Sequence, residues 1–260
     1  MCQLLAMSAN TPTDIQFSFA ALRLRGGQVG PHRDGFGLGL FRSQGLMCFH
    51  DDLPASESEI AHLLQHLPLK AMVAIGHIRQ ANVGEVNLAN THPFVREWQG
   101  RQWCFAHNGQ LTGAGELARG HFVPVGTTDS EQAFCWLMSR LKALPELNKL
   151  NIWHEIQYAC QHLAAMGVFN MMLSNGEDLF VFCGSKLHYL VRQAPFGKAS
   201  LLDCDLQIDF KQHTTINDRV AIMATEPLTQ DESWHAMQPG CLQWWRQGQL
   251  IQEVVLPLAM

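Results

Sequence analysis

The sequence predicts an α+β fold, formed by one continuous domain over residues 1–260. Apolar stretches of strand length come in neighbouring pairs, which favours antiparallel pairing, and amphipathic helix-like segments separate groups of these strands. No low-complexity linker, charge block or internal repeat interrupts this order. Helices are therefore expected to cover the faces of mainly antiparallel sheets.

The first predicted helix is TPTDIQFSFAALRLRGG. Thr11 is its expected N-cap, Pro12 suits the first helical position, and the pair Gly26-Gly27 ends it. The glycine-rich stretch DGFGLGLF and a partner around 46–49 are predicted to be strands, and AMVAIGHIR a buried strand.

Two further helices are predicted to begin with capping boxes. Ser56 with Glu59 would cap SESEIAHLLQHL, whose leucines and isoleucine form one apolar face at helical spacing. Thr128 with Glu131 would cap TTDSEQAFCWLMSRL. A fourth helix is predicted over 152–166, before a glycine.

The second half is predicted to be rich in strands. VFNMMLSNGEDLFVFC indicates a hairpin, because two apolar runs are joined through Asn175-Gly176. WCFAHNGQL is predicted to be a strand that runs into a turn. LHYLVR, RVAIMAT and CLQWWRQGQLIQEVV supply further strands.

Composition excludes several classes of function. The net charge of -5 and the lack of a basic run argue against binding to nucleic acid, and no apolar stretch is long enough to span a membrane. The eight cysteines lie mostly in apolar runs without CxxC pairs, which indicates reduced thiols in a cytoplasmic protein. The thirteen histidines show no HExxH or zinc-site spacing, so no metal is expected.

Four polar stretches interrupt the apolar pattern: RGGQVGPHRDGFG, GHIRQANVGEVNLANTHP, AHNG and TTDSE. Each also has a purely structural interpretation. Asn108-Gly109 suits a type I′ turn, TTDSE a helix start, and Arg79 a charge at a strand end. Taken singly, none of them establishes a functional site.

Cys2 is a candidate nucleophile that would link these four stretches in one functional site. If Met1 is removed, Cys2 carries a thiol and a free α-amine on one residue. An α-amine has a reference pKa of about 7.7–8.0, so it can serve as the general base for its own side chain. Such a nucleophile needs no histidine or aspartate partner.

At this point the chain resembles a known family. MCxLLAMS, RGG, DGFG, GHIRQA, NTHPF, AHNGQL and TTDSE, in this order, are similar to the class II glutamine amidotransferases, which are N-terminal-nucleophile hydrolases. ATEPL and ESWHAMQPG resemble later segments of the stand-alone bacterial members. The resemblance implies a four-layer αββα sandwich of two mainly antiparallel sheets.

The resemblance also implies roles for matching residues. Cys2 matches the nucleophile that forms a γ-glutamyl thioester, and Asn108 and Gly109 match the oxyanion hole. Arg79 matches the arginine that binds the α-carboxylate of the substrate, a natural partner for its bidentate fork. Asp129 matches the aspartate that holds the α-ammonium group.

Four more residues are implied at the edges of the site. Arg25 matches an arginine beside the nucleophile that supports the N-terminal segment. Asn82 and Gly84 lie in the stretch that lines the glutamine pocket, and His92 lies in a motif that shapes it. The chain departs from relatives at 80–83, where it has Gln-Ala-Asn-Val, and this leaves the amide substrate open.

The leaving-group side of the pocket is not fixed by any motif. His32, Arg33 and Gln80 are candidates for it.

The leading prediction is an amidohydrolase that cleaves the γ-amide of glutamine and releases ammonia, without a cofactor. No phosphate-binding GxxxxGK loop or acceptor module follows, so the ammonia would leave unused or pass to a separate partner protein. One alternative is a hydrolase of a substituted γ-glutamyl amide or γ-glutamyl peptide. Another is a non-catalytic γ-glutamyl sensor or structural subunit.

Overall fold

The computed structural model describes residues 2–43, 45–81, 84–146 and 148–258. The strands of this part of the chain are β1 (Gln3–Asp14), β2 (Phe36–Arg42), β3 (Gly45–Asp51), β4 (Lys70–Ile78), β5 (Phe94–Trp98), β6 (Arg101–Leu111), β7 (Gly167–Ser174), β8 (Leu179–Cys183), β9 (His188–Gln193), β10 (Lys198–Ser200), β11 (Gln207–Asp209), β12 (Arg219–Ala224), β13 (His235–Ala236), β14 (Cys241–Arg246) and β15 (Gln249–Val255). Its α-helices are α1 (Gln16–Arg25), α2 (Glu59–Leu64), α3 (Asp129–Lys142) and α4 (Lys149–Ala164).

The strands form two large antiparallel sheets. One has seven strands in the order β13-β9-β12-β1-β4-β2-β3, and the other has six in the order β15-β14-β8-β7-β6-β5. A short ribbon pairs β10 with β11. The expected α+β class with two mainly antiparallel sheets is confirmed.

Three apolar clusters hold the layers together. In β1, Leu5 and Met7 pack with α1 and α2 on the outer face of the seven-stranded sheet. Leu4 and Ala6, on the opposite face, pack between the two sheets with side chains of β7 and β8. A third cluster joins α3 and α4 to the six-stranded sheet. The layers are therefore stacked in the order helix, sheet, sheet, helix. Alternate side chains of β1 pack into the two apolar interfaces on either face of the seven-stranded sheet.

The first helix begins later than the sequence suggests, so the prediction of Thr11 as its N-cap was wrong. β1 resumes its pairing with β4 after a bulge, at Thr13 opposite Ala71, which keeps this segment extended. The helix starts at Gln16, whose backbone N–H donates to Asp14 Oδ1 at 2.8 Å. Its predicted end is confirmed, with Gly26 as the C-cap.

The second helix is short and is capped by a different serine. Ser58 Oγ, not Ser56, accepts from the N–H of Ala61 at 3.2 Å. Ser58 is itself held by the carboxylate of Asp51 at the end of β3, which fixes the helix start two residues further on. Part of the predicted apolar face is wrong, since Leu63 is 56% exposed.

The third and fourth helices follow the predictions more closely. Thr128 Oγ1 accepts from the N–H of Glu131 at 3.2 Å, which confirms Thr128 as the N-cap. The Glu131 carboxylate does not return to Thr128 but accepts from the N–H groups of Val125 and Gly126. The fourth helix starts at Lys149, three residues before the predicted bound, because Asn148 caps it.

The two Asn-Gly dipeptides of the six-stranded sheet have different conformations. Asn175-Gly176 forms the predicted hairpin turn between β7 and β8, with Ser174 opposite Leu179. The turn interpretation of Asn108-Gly109 was wrong, because β6 continues through it and stays paired with β7 as far as Leu111. No helix in the described ranges is long and apolar enough to cross a membrane.

Candidate active site

Cys2 lies directly before β1, the middle strand of the larger sheet. The strand is paired with β4 on one side and with β12 on the other. Leu4 N–H donates to Thr225 Oγ1 at 2.9 Å, and Thr225 N–H donates to Leu4 O at 3.1 Å. The residue at the start of this strand is therefore held on both sides, unlike an ordinary frayed terminus.

The Cys2 thiol is bound by the backbone of one residue. Sγ donates to Gln80 O at 3.4 Å and accepts from Gln80 N–H at 3.3 Å. Burial raises the pKa of this thiol, while the N–H of Gln80 and the charge of Arg79 act against the increase. Among the described residues, no side chain is hydrogen-bonded to this sulfur. The thiol is therefore protonated at neutral pH and needs a base before it can attack.

A cavity of about 30 Å³ lies beside this thiol. It is lined by Cys2 just before β1, by the end of β4 and the residues after it, by His92 before β5, by a segment of β6 and by the N-terminus of α3. Its lining residues are Cys2, His77, Arg79, Gln80, Ala81, His92, His107, Gly109, Gln110, Thr128, Asp129 and Ser130. By this measure the cavity has room for about two water molecules. The structure thus brings six of the residues predicted from sequence to one small polar cavity: Cys2, Arg79, Gly109, Asp129, His92 and the leaving-group candidate Gln80.

Arg79 follows the last residue of β4 and is buried at 3% exposure. Its guanidinium donates to Glu85 O at 3.0 Å and to Gly84 O at 3.4 Å. Burial lowers the pKa of this group, while Cys2 and Asp34 favour its charged form. Gly84 therefore supports Arg79 through its carbonyl and does not itself line the cavity; Asn82, predicted beside it, lies outside the described residues.

Asp129 is the first residue of α3 and faces the same cavity. Its Oδ2 accepts from Leu111 N–H at 2.7 Å, and its Oδ1 accepts from Ser130 N–H at 2.9 Å. A carboxylate at a helix N-terminus is also favoured by the helix dipole. The cavity therefore has a cationic and an anionic side chain in its wall, Arg79 and Asp129.

Asn108 and Gly109 lie side by side in β6. Asn108 is 1% exposed, and neither its Nδ2 nor its Oδ1 has a hydrogen-bond partner among the described residues. A Cβ on Gly109 would lie 1.7 Å from Val168 O, so only glycine fits where the two strands approach. An unpartnered buried amide is costly. The ring nitrogens of His77 and His92 are unpartnered as well, so Asn108 is one of several buried polar side chains in this region without a partner among the described residues.

Three buried histidines lie at the cavity, and sequence reasoning found only one of them. The rings of His77 and His92 are 4.2 Å apart. Burial lowers the pKa of His77 to about 3 and lowers the pKa values of His92 and His107 as well. These histidines are therefore uncharged at neutral pH. His77 and His107 are in the quoted motifs GHIRQA and AHNGQL, and this position beside Arg79 and Asn108 was the available signal.

His107 links the strand to the third helix. Its Nδ1 lies 2.8 Å from Ser130 Oγ and its Nε2 lies 3.1 Å from Val168 O. A carbonyl can only accept, so Nε2 carries the proton and Nδ1 accepts from the serine hydroxyl. The residue that precedes Asn108 is thereby connected to the one that follows Asp129.

Arg25 does not reach the cavity. It forms an ion pair with Asp203 at 2.7 Å and donates to the carbonyls of Glu226 and Pro227. These two residues follow Thr225, which is bonded to Leu4 of the first strand. Arg25 thus contacts the segment that holds the start of β1.

The three leaving-group candidates lie in different places. His32 is hydrogen-bonded to Arg25 O at 3.2 Å and does not line the cavity. Arg33 is at the surface, in an ion pair with Glu57. Only Gln80 lies in the cavity wall.

Known proteins resemble the chain over most of its length. A protein of Escherichia coli strain K12 named "Putative glutamine amidotransferase YafJ" is 50% identical over 243 residues, which cover 92% of this chain and 95% of that one. A Haemophilus influenzae protein named "Putative glutamine amidotransferase" is 44% identical over 257 residues, which cover 98% of this chain and 87% of that one.

Solved structures give the same picture. The 2.0 Å crystal structure of a predicted glutamine amidotransferase from Pseudomonas aeruginosa PA01 covers 96% of this chain and 100% of that one, with 44% identity and a TM-score of 0.77. Glutamine phosphoribosylpyrophosphate amidotransferase from Bacillus subtilis, at 14% identity and a TM-score of 0.63, shares the fold over 98% of this chain and 49% of its own. Residues 1–258 match the family model of the class II glutamine amidotransferases. The chain therefore belongs to the class II glutamine amidotransferase family.

Proposed function

We propose that this protein is an amidohydrolase that cleaves the γ-amide of glutamine, with Cys2 as its N-terminal nucleophile after removal of Met1. The observation that carries this proposal is the cavity beside the Cys2 thiol, whose walls contain Arg79 and Asp129. A nucleophile, a cation and an anion around one space match the reactive and charged groups of an amino acid substrate. The space of about 30 Å³ is smaller than glutamine, so the proposal requires the cavity walls to move apart when the substrate binds.

The α-amine of Cys2 would be the general base. The raised pKa of the thiol means that a base must take its proton, and the sulfur is hydrogen-bonded to the Gln80 backbone rather than to a histidine. The amine accepts the thiol proton as Sγ attacks the amide carbon, and it returns that proton to the departing ammonia. Water then hydrolyses the γ-glutamyl thioester, with the same amine as base.

The negative oxygen that forms during attack would be stabilised by two donors. We assign these to the side-chain amide of Asn108 and the backbone N–H of Gly109. The Asn108 amide is buried without a partner, so it is available to a charge that appears only in the transition state.

Arg79 and Asp129 would hold the zwitterionic end of the substrate. The guanidinium suits the α-carboxylate, and the aspartate suits the α-ammonium group. Both groups would hold the same glutamyl end in a substituted γ-glutamyl amide or γ-glutamyl peptide, so these substrates belong in the same assay. Released ammonia would leave or pass to a separate acceptor protein; a non-catalytic sensor would release none.

Covalent labelling tests the nucleophile. A diazoketone that mimics glutamine should add one label to the protein, at Cys2, as seen in the intact mass and by peptide mapping. Cys2→Ala should remove both labelling and ammonia release without unfolding. Cys204→Ala is the matched control, because Cys204 is an exposed thiol away from the cavity and its loss should change neither. Hydrolysis by Cys2→Ala at the wild-type rate, or Met1 retained in the active protein, would rule out the mechanism.

Arg79→Lys tests the substrate clamp. Lysine keeps the charge but loses the planar fork, so KM for glutamine should rise more than kcat falls. Steady-state ammonia release at varied glutamine measures both constants. An unchanged KM would remove Arg79 from the α-carboxylate.

A further inference from the structure

Asn170 lies in β7, directly opposite Asn108 of β6. It is 1% exposed and has no part in the reaction described above. Its side-chain Nδ2 donates to the backbone carbonyl of Asn108 at 2.9 Å and to Ser185 Oγ at 2.9 Å. One buried amide therefore contacts the main chain at the oxyanion segment.

The oxygen of the Asn170 side-chain amide is fully hydrogen-bonded as well. Asn170 Oδ1 accepts from three successive backbone N–H groups, those of Gly184 at 3.1 Å, Ser185 at 3.0 Å and Lys186 at 3.3 Å. A rotated amide would place its oxygen against the carbonyl of Asn108 and its nitrogen against three donors. The network thus allows one orientation, with the nitrogen towards Asn108.

The contact matters because of the geometry of the peptide unit. The carbonyl of Asn108 and the N–H of Gly109 belong to the same planar unit, and in the trans form they point in opposite directions. A donor that fixes the direction of the carbonyl also fixes the direction of the N–H. It polarises the unit too, which makes the N–H a stronger donor.

We propose that Asn170 is a positioning residue for the oxyanion hole, which holds the Asn108–Gly109 peptide so that the Gly109 N–H points at the reacting oxygen. This inference rests on the proposed function, in which that N–H is one of the two donors. Asn170 acts from behind the strand and never touches the substrate. The anchor is rigid because the 184–186 segment saturates its oxygen.

A pair of variants separates this role from a contribution to folding. Asn170→Asp retains an acceptor for the three N–H groups but loses both donors, so it should lower kcat for glutamine about 10- to 100-fold with KM within about twofold. Ser185→Ala is the matched control, since it removes the other partner of Nδ2 and leaves the Asn108 contact intact. It should keep the wild-type kcat, and both variants are compared by Tm.

A second measurement does not depend on turnover. The γ-aldehyde analogue of glutamine adds to a thiol as a hemithioacetal whose oxygen occupies the oxyanion hole, whereas glutamate places no tetrahedral oxygen there. Asn170→Asp should weaken inhibition by the aldehyde about tenfold or more and leave inhibition by glutamate unchanged. Asn170→Ala, which also lacks the donors, should behave in the same way.

The outcomes are distinct. Wild-type kcat and aldehyde affinity in Asn170→Asp would overturn the positioning role while the proposed function stands. Equal losses of kcat in Asn170→Asp and Ser185→Ala, or failure of both Asn170 variants to fold, would assign Asn170 to the fold alone. A wild-type protein inactive towards glutamine and γ-glutamyl amides would instead reject the proposed function, and this inference with it.

Discussion

Two Asn-Gly dipeptides lie in the six-stranded sheet, and their surroundings could hardly differ more. In the hairpin, Asn175 Oδ1 accepts from the N–H groups of Glu177 at 3.0 Å and Asp178 at 2.8 Å. Gly176 takes a φ of 86°, in the left-handed region that suits glycine. In β6, the amide of Asn108 has no partner in the described ranges.

The difference separates a structural asparagine from a candidate functional one. Natural folds satisfy nearly all buried polar groups, so an amide that closes a turn has its partners within a few residues. An amide left without partners in a buried strand costs stability, which favours a role other than folding. The same Asn-Gly dipeptide is therefore structural at Asn175-Gly176 and a candidate functional pair at Asn108-Gly109. The hydrogen-bond partners of the asparagine side chain distinguish the two.

Paired substitutions of the two asparagines should give the largest effect. Asn108→Ala removes a proposed oxyanion donor, so kcat should fall about 100- to 1,000-fold, and Tm should not fall because the lost amide has no partner among the described residues. Asn175→Ala removes two turn hydrogen bonds, so it should leave kcat unchanged and lower the free energy of unfolding by about 1 kcal/mol. Ammonia release and urea unfolding measure the two effects. A wild-type kcat in Asn108→Ala would break the comparison.

The two glycines should differ in stability. A Cβ on Gly109 would meet the backbone oxygen of Val168 at 1.7 Å, which cannot move without disturbing the strand pair. Gly109→Ala should therefore lower the free energy of unfolding by about 3 kcal/mol and abolish activity. A Cβ on Gly176 would meet the ring of Phe41 at 2.6 Å in a left-handed turn, and Gly176→Ala should cost about 1–2 kcal/mol with activity retained. Equal losses in urea unfolding would contradict this order.

Mild acid should destabilise the fold through the buried side chain of His77. The pKa of His77 is lowered to about 3 in the fold from a usual 6.5, so below pH 6.5 the unfolded chain binds a proton that the folded protein does not. The free energy of unfolding should fall between pH 6.5 and 5, by about 2 kcal/mol for this residue. His77→Phe should show a correspondingly smaller change in urea unfolding at the two pH values. The same slope in both proteins would show that His77 is not the source.

The sequence predicted well those parts of the fold that depend on local signals. The Thr128 cap and the Asn175-Gly176 hairpin each depend on residues within a few positions, and both are confirmed. The first strand was not predicted, because QLLAMSA is a continuous apolar run that has neither the strand nor the helix period. The helix after this strand was predicted to begin too early, because Thr13 and Asp14 pair with β4 and belong to the sheet. That residues 1–260 form a single cytoplasmic domain stays a prediction.

The candidate site was predictable where chemistry lies in a motif. Cys2, Arg79, Gly109, Asp129 and His92 come together at one cavity, although they are far apart in the sequence. Their functional roles stay predictions until the experiments are done. Partners across strands could not be found in this way. The contact of Asn170 with Asn108 joins residues 62 positions apart, and only the register of two strands brings them together.

The central position of β1 in its sheet determines how the candidate site should be lost on heating. Leu4 to Met7 are 0–1% exposed and lie between two hydrogen-bonded neighbours, so their amides should exchange with solvent only when the whole fold opens. A nucleophile attached to such a strand cannot drift out of place through local fraying. Heat should therefore remove the reactive thiol and the tertiary structure in one cooperative step, without an earlier inactive state.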